Sequence, residues 1–144
     1  MADQLPDDHP PEGYVLAARR GPFTTHNGPL YLREEEGSFV QGIRLRDRHC
    51  NGAAIVHGGM LLTFVDGVMG VMAFRETGTL CVTIRMVSDF LSPARAGEWL
   101  DGRGVVTRVE DGFAFCEGML YVGHRDVLKA SGVFKLMHRK RDGD

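Results

Sequence analysis

The feature that most constrains this chain is one long apolar run, Met60-Leu-Leu-Thr-Phe-Val-Asp-Gly-Val-Met-Gly-Val-Met-Ala-Phe74. Its β-branched residues Val65, Val68 and Val71 make a strand a fair competitor on propensity. Fifteen residues are too many for one strand, however, and glycines bracket the run, with Gly58-Gly59 before it and Gly78 after it. A helix is the better reading. Being apolar nearly all round, it should be covered by protein on both sides. It would reach only about 22 Å, short of the roughly twenty apolar residues a membrane span needs.

Asp66 interrupts that helix. Aspartate is a poor helix former, and burying its charge is costly unless it is paired or hydrogen-bonded. Two readings stay open: a carboxylate at a wet edge of the helix or capping a neighbouring loop, or a functional group in a cleft.

The rest of the chain changes period. Residues 81–91 alternate, with Val82, Ile84 and Met86 expected on one face and Thr83, Arg85 and Asp89 on the other. Ser92-Pro93 ends that strand. Extended stretches follow near 98–109, 112–123 and 126–137, separated by Asp111-Gly112 and Gly123-His124-Arg125. Before the helix, Tyr14–Arg20 reads as a short helix closed by Gly21-Pro22, and 29–33 and 38–45 as strands around a Glu34-Glu35-Glu36-Gly37 turn. A loop from Asp47 to Ile55 turns at Asn51-Gly52. Two strands, one buried helix and four strands make an antiparallel α+β domain with its sheet wrapped around a single helix. The reading divides the chain into an N-terminal extension (1–27, its first dozen residues disordered), a domain (28–138) and a solvated tail (139–144).

Composition narrows the function classes. A formal net charge of −2 leaves no basic excess for nucleic acid. Cys50, Cys81 and Cys116 form no CxxC pair, which argues against a zinc ribbon or a disulfide framework and for a reducing compartment. They read as small buried hydrophobes. The acidic, proline-rich start lacks the pattern of a signal peptide, so the chain is expected to be soluble and cytoplasmic.

His57-Gly58-Gly59 stands where loop becomes helix. Amides at a helix N-terminus lack intrahelical acceptors and carry partial positive charge outward, and glycine lets a ligand approach them. Such a place suits a carbonyl or an oxyanion, although a glycine turn with a hydrogen-bonded histidine would look the same. Gly58 and Asp66 are eight residues apart, or about 12 Å along a helix. If both act on one carbonyl they should come from two subunits, as a two-fold dimer with antiparallel helices would allow.

Together, Asn51-x5-His57-Gly58-Gly59-x6-Asp66-x3-Gly70, with the later Thr83-x8-Ser92-Pro93 and Gly132-Val-Phe-Lys135, resembles the signature of hotdog-fold acyl-CoA thioesterases. The similarity is to the phenylacetate-degradation (PaaI) and 4-hydroxybenzoyl-CoA type, and it covers about residues 28–137. It implies a hotdog fold and a homodimer that pairs into a tetramer. It also implies hydrolysis of acyl-CoA thioesters without metal or separate cofactor, coenzyme A being part of the substrate. By the same resemblance Asp66 would be general base or nucleophile, and Asn51 would orient water or substrate. The Gly58 amide would bind the oxyanion, with Gly59 beside it; His57 would support the thioester end, and Thr83 would position water. Arg85 and Arg108 are candidates for the coenzyme A phosphates. Phe64, Met69, Met72 and Phe90 are candidates for the acyl pocket, each equally explained as core. Two rivals share the fold: an acyl-CoA dehydratase or hydratase, and a non-catalytic acyl-CoA sensor. Against them stand the spacing of the aspartate from His-Gly-Gly and the polar set Asn51, His57, Asp66 and Thr83.

Overall fold

The computed structural model describes residues 7–138. Seven strands form one antiparallel sheet: β1 (Val15–Leu16), β2 (Tyr31–Glu35), β3 (Ser38–Arg44), β4 (Cys81–Phe90), β5 (Trp99–Glu110), β6 (Phe113–Val122) and β7 (Arg125–Leu136). Their order across the sheet is β1-β2-β3-β5-β6-β7-β4. A short helix α1 (Pro22–Asn27) precedes β2, and the long helix α2 (Gly58–Thr77) lies on the sheet. This is the antiparallel sheet around one long helix that the resemblance implied.

The apolar run becomes α2 with both ends defined by local chemistry. His57 is the N-cap, its ring nitrogen accepting the Gly59 N–H at 2.8 Å. Gly78 ends the helix in the left-handed region, φ 67°, where a side chain would be strained. Leu61, Phe64, Val65, Val68, Met69 and Ala73 form the face buried against the sheet. Small residues in the strands let the helix lie close. A Cβ on Gly102 of β5 would come 2.6 Å from Val68 Cγ2, and one on Gly118 of β6 would come 2.7 Å from Val65 Cγ2. The fully buried Ile43, Leu45, Leu100, Leu120, Val127 and Leu128 surround this contact.

At twenty residues α2 is longer than the apolar run alone and reaches about 30 Å. By length and composition it could cross a bilayer. Its packing against the sheet and the carboxylate at mid-helix are those of a core helix.

Three local expectations are corrected. No helix forms over Tyr14–Arg20; Val15 and Leu16 pair with Leu32 and Tyr31, and the helix starts one residue after Gly21, with Pro22 at its first position. Proline's fixed φ and missing N–H suit a helix start, so Gly-Pro opens this helix rather than closing one. The acidic N-terminal stretch is anchored where it is described, residues 1–6 lying outside the described residues. Asp8 is buried, accepts a hydrogen bond from the Tyr31 hydroxyl at 2.9 Å and pairs with Arg46. Tyr14 packs edge-on against Trp99, ring centroids 5.0 Å apart.

The third correction concerns β4. Thr83 pairs with Phe134 but Arg85 with Val133, so Ile84 is an extra residue and the alternation reverses there. Cys81 and Thr83 therefore share the helix-facing side with Met86, Ser88 and Phe90, while Val82 and Ile84 are turned outward and half exposed. A two-residue period misses a bulge because every residue after it keeps the same spacing but changes face.

Candidate active site

On the side of α2 away from the sheet, Thr63, Asp66, Gly67, Gly70, Val71 and Phe74 line a cleft of about 650 Å³. The expectation that protein covers both sides of the helix holds only partly. The second side is roofed by the segment 18–30, which contributes Ala18, Arg20, Thr24, Asn27 and Leu30 and leaves space beneath. Cys81 and Thr83 of β4, with Phe64, Phe134, Leu32 and Phe39, are among the other residues that line it.

Asp66 meets this cleft near the middle of α2, and its carboxylate accepts a hydrogen bond from the Thr83 hydroxyl at 2.6 Å. The bulge at Ile84 is what directs Thr83 toward the helix. A partly buried carboxylate held by one hydroxyl keeps acceptor capacity on its remaining lone pairs, as a group that must take up a proton requires. The Cys81 thiol beside it is pushed up by burial and by the Asp66 charge, so it stays protonated. All three cysteines are free.

At the other end of the helix, the His-Gly-Gly motif has a definite geometry. A Cβ on Gly59 would sit 2.9 Å from His57 Nδ1, so the capping ring requires glycine there. Gly59 gives its N–H to that ring, whereas the Gly58 N–H has no acceptor among the described residues. Phe90, at the end of β4, lies over Gly58, its ring 3.2 Å from where a Cβ would be. Asn51 turns its carbonyl oxygen onto its own loop, accepting from Ala53 N at 2.9 Å and Ile55 N at 3.4 Å. It shapes the 51–55 turn that delivers His57, whose N–H bonds to His49 O at 2.8 Å.

Within one chain, then, Asp66 and Thr83 line the cleft and Asn51, His57, Gly58, Gly59 and Phe90 do not. Arg108 pairs with Glu110 at 3.2 Å and covers the Phe115 ring. Through the pairings Arg108–Phe115, Phe115–Val133 and Val133–Arg85, both arginines occupy one row on the sheet face opposite α2. Of the acyl-pocket candidates, Phe64 lines the cleft and Met69 is buried in the core.

Two further residues in this region were not singled out by the sequence pattern. Gln41 is buried in β3, and the half-buried Arg20 donates to its side-chain oxygen at 2.6 Å. Only a polar residue inside the alternating β3 segment marks the pair in one dimension.

Comparison with known proteins places the chain. Residues 53–129 match the family model described as the thioesterase superfamily. A Pseudomonas aeruginosa protein named "Putative esterase PA0474" is 36% identical over 129 residues, covering 88% of this chain and 96% of that one. Among solved structures, a phenylacetic acid degradation-related protein from Ralstonia eutropha is similar at a TM-score of 0.70 and 27% identity, covering 83% of this chain and 92% of its own. A Streptococcus pneumoniae thioesterase-fold protein solved with coenzyme A superposes at a TM-score of 0.70 and 18% identity, covering 78% and 91%. The chain belongs to the thioesterase superfamily and is a hotdog-fold thioester hydrolase.

Proposed function

We propose that this protein hydrolyses acyl-CoA thioesters at sites shared between two subunits, with Asp66 activating water or attacking directly. Thr83 orients that carboxylate, and the Gly58 amide of the neighbouring subunit receives the developing oxyanion. The observation that carries the reading is the position of two half-sites along β4. Thr83, bonded to Asp66, is near one end of this strand, and Phe90, against Gly58, is at the other.

β4 is the last strand of the sheet, ten residues long, with Val82, Ile84, Val87 and Phe90 exposed. An edge of that length is a template for another strand. Antiparallel pairing of β4 with its copy about a two-fold axis near residues 86–87 sets Phe90 of each chain opposite Thr83 of the other. One Gly58 amide and one Asp66 carboxylate then meet twice. Two features of the parts support a joint role. The Gly58 N–H is without an acceptor at a helix N-terminus, where partial positive charge is available to an oxyanion. The general base and the oxyanion donor are each typically worth about 10²–10⁴ and 10²–10³ in rate, enough together for a working enzyme.

The test is thiol release from a panel of aryl and aliphatic acyl-CoAs, run beside a search for water addition to an enoyl-CoA. Release of free coenzyme A at enzyme-dependent rates supports the reading. Tight acyl-CoA binding without release would make the protein a sensor, and hydration without release would make it a hydratase.

A further inference from the structure

Arg20 reaches into the cleft from the roof, where most of the lining is apolar: Leu30, Leu32, Phe39, Phe64, Val71 and Phe134. Burying a guanidinium among such groups is costly unless an anion compensates it. No carboxylate does so here. Arg20 forms no ion pair among the described residues, and Asp66, the cleft's carboxylate, is bonded by Thr83. Burial, with no opposing charge, pushes the Arg20 guanidinium below its ordinary value, though arginine remains a cation at neutral pH.

The cation is nevertheless held in place. Its one side-chain hydrogen bond among the described residues is donated at 2.6 Å to Gln41 Oε1, on a side chain that is 1% exposed and whose own amide donates to Val68 O at 3.5 Å. A guanidinium has five N–H donors in a planar fork. One is used, and Arg20 has no unpartnered nitrogen shut away from solvent, so its unused donors stay accessible on a side chain that lines the cleft. A fixed fork with free donors, opening into an apolar slot that also holds the proposed catalytic carboxylate, is a receptor for a planar anion.

Resting on the acyl-CoA reading above, we propose that Arg20 is a specificity-determining residue that binds a carboxylate at the far end of the acyl group. The preferred substrates are then coenzyme A monothioesters of dicarboxylic acids. The apolar lining accommodates the intervening methylenes, and Gln41 holds the fork in register. Leu30 and Thr24 line the same roof as Arg20, and an ion pair is stronger in such partly desolvated surroundings than in open water.

The experiment compares dicarboxylyl-CoAs of four to eight carbons with the monocarboxylic acyl-CoAs of equal length, in wild type and in Arg20→Met. In wild type, kcat/KM at the best length should favour the dicarboxylyl member by at least about tenfold. Arg20→Met should erase that preference while changing the monocarboxylic rate by less than about threefold, and Arg20→Lys should retain part of it, keeping charge but losing the fork. Equal loss on both substrate classes would put Arg20 on the coenzyme A phosphates and overturn the proposal, as would a wild type with no preference. Calorimetry with the non-hydrolysable thioether analogues separates this from the reaction itself. Arg20-dependent selective binding without any thiol release would sink the hydrolytic reading and leave the carboxylate site standing. Release without Arg20-dependent discrimination would do the reverse. Should Arg20→Met fail to fold, Arg20→Gln carries the same comparison.

Discussion

Thr83 and Asp66 are joined by a short hydrogen bond between a strand and a helix, and each has a distinct expected failure. Asp66→Asn keeps the shape but cannot accept a proton, so turnover in a thiol-release assay should fall by at least about a hundredfold with the melting temperature little changed. Near-normal turnover would remove Asp66 from the proposed chemistry. Thr83→Val deletes only the hydroxyl, leaving the carboxylate to find its orientation alone. We expect a loss of about tenfold or more in kcat, with Thr83→Ser recovering most of it because serine supplies the same donor. If serine is as impaired as valine, the methyl group rather than the hydrogen bond is what matters.

At the scale of elements, the close approach of α2 to the sheet is the most sensitive contact. Gly118 faces Val65, which is fully buried and cannot move aside. Gly118→Ala should cost about 1–3 kcal/mol by overpacking, read as a lower denaturant midpoint with unchanged slope. An unchanged midpoint would mean that the helix can lift without penalty. The roof segment is held by a second device. His49, buried, accepts Arg46 N–H through Nδ1 at 2.9 Å and donates from Nε2 to Asn27 O at 2.8 Å. That pattern needs the neutral ring, and burial, aided by the charges of Arg48 and Arg46, lowers its pKa against the opposing Asn27 bond. The unfolded chain takes up this proton near pH 6.5 and the folded chain only below that. The stability from neutral His49 is therefore complete above about pH 6.5 and is lost as pH falls beneath it. The denaturant midpoint should drop between pH 7.5 and 5.5, and His49→Gln should flatten that drop; an equal slope in the variant would assign it to other groups.

For the whole molecule, the proposed shared site can be read directly by mixing subunits. Gly58→Val would push a side chain against the Phe90 ring and obstruct the amide, and Asp66→Asn removes the carboxylate. Each homodimer should be nearly inactive. In a mixed dimer with sites shared between chains, one site carries both lesions and the other carries neither, so activity should return toward half of wild type per mixed dimer. Confirmed exchange, for instance with two affinity tags, and no recovery would mean that each site is built by one chain. Sedimentation should likewise show at least a dimer at micromolar concentration, since a single chain leaves the long edge of β4 exposed.

What the sequence determines by itself is local and periodic. The apolar run, its glycine brackets and the histidine before them specify α2 and its caps, since capping and helix length depend on neighbours within a few residues. Asp111-Gly112, both at positive φ, similarly specifies the β5–β6 hairpin. The spacing of His-Gly-Gly, Asp66 and Thr83 was also legible, though not that Thr83 faces the helix. That depends on the Ile84 bulge, a choice made by the pairing of β4 with β7 rather than by β4 alone. Asn51 was legible as a position and not as a contact, since its oxygen closes its own turn. The segment 18–30 lacks periodicity because it packs through single side chains across the cleft, so its roof and the Arg20–Gln41 bond, between residues twenty-one positions apart, exist only once the intervening chain has folded back. Contacts of that kind have no one-dimensional pattern to carry them, and tertiary structure alone decides them.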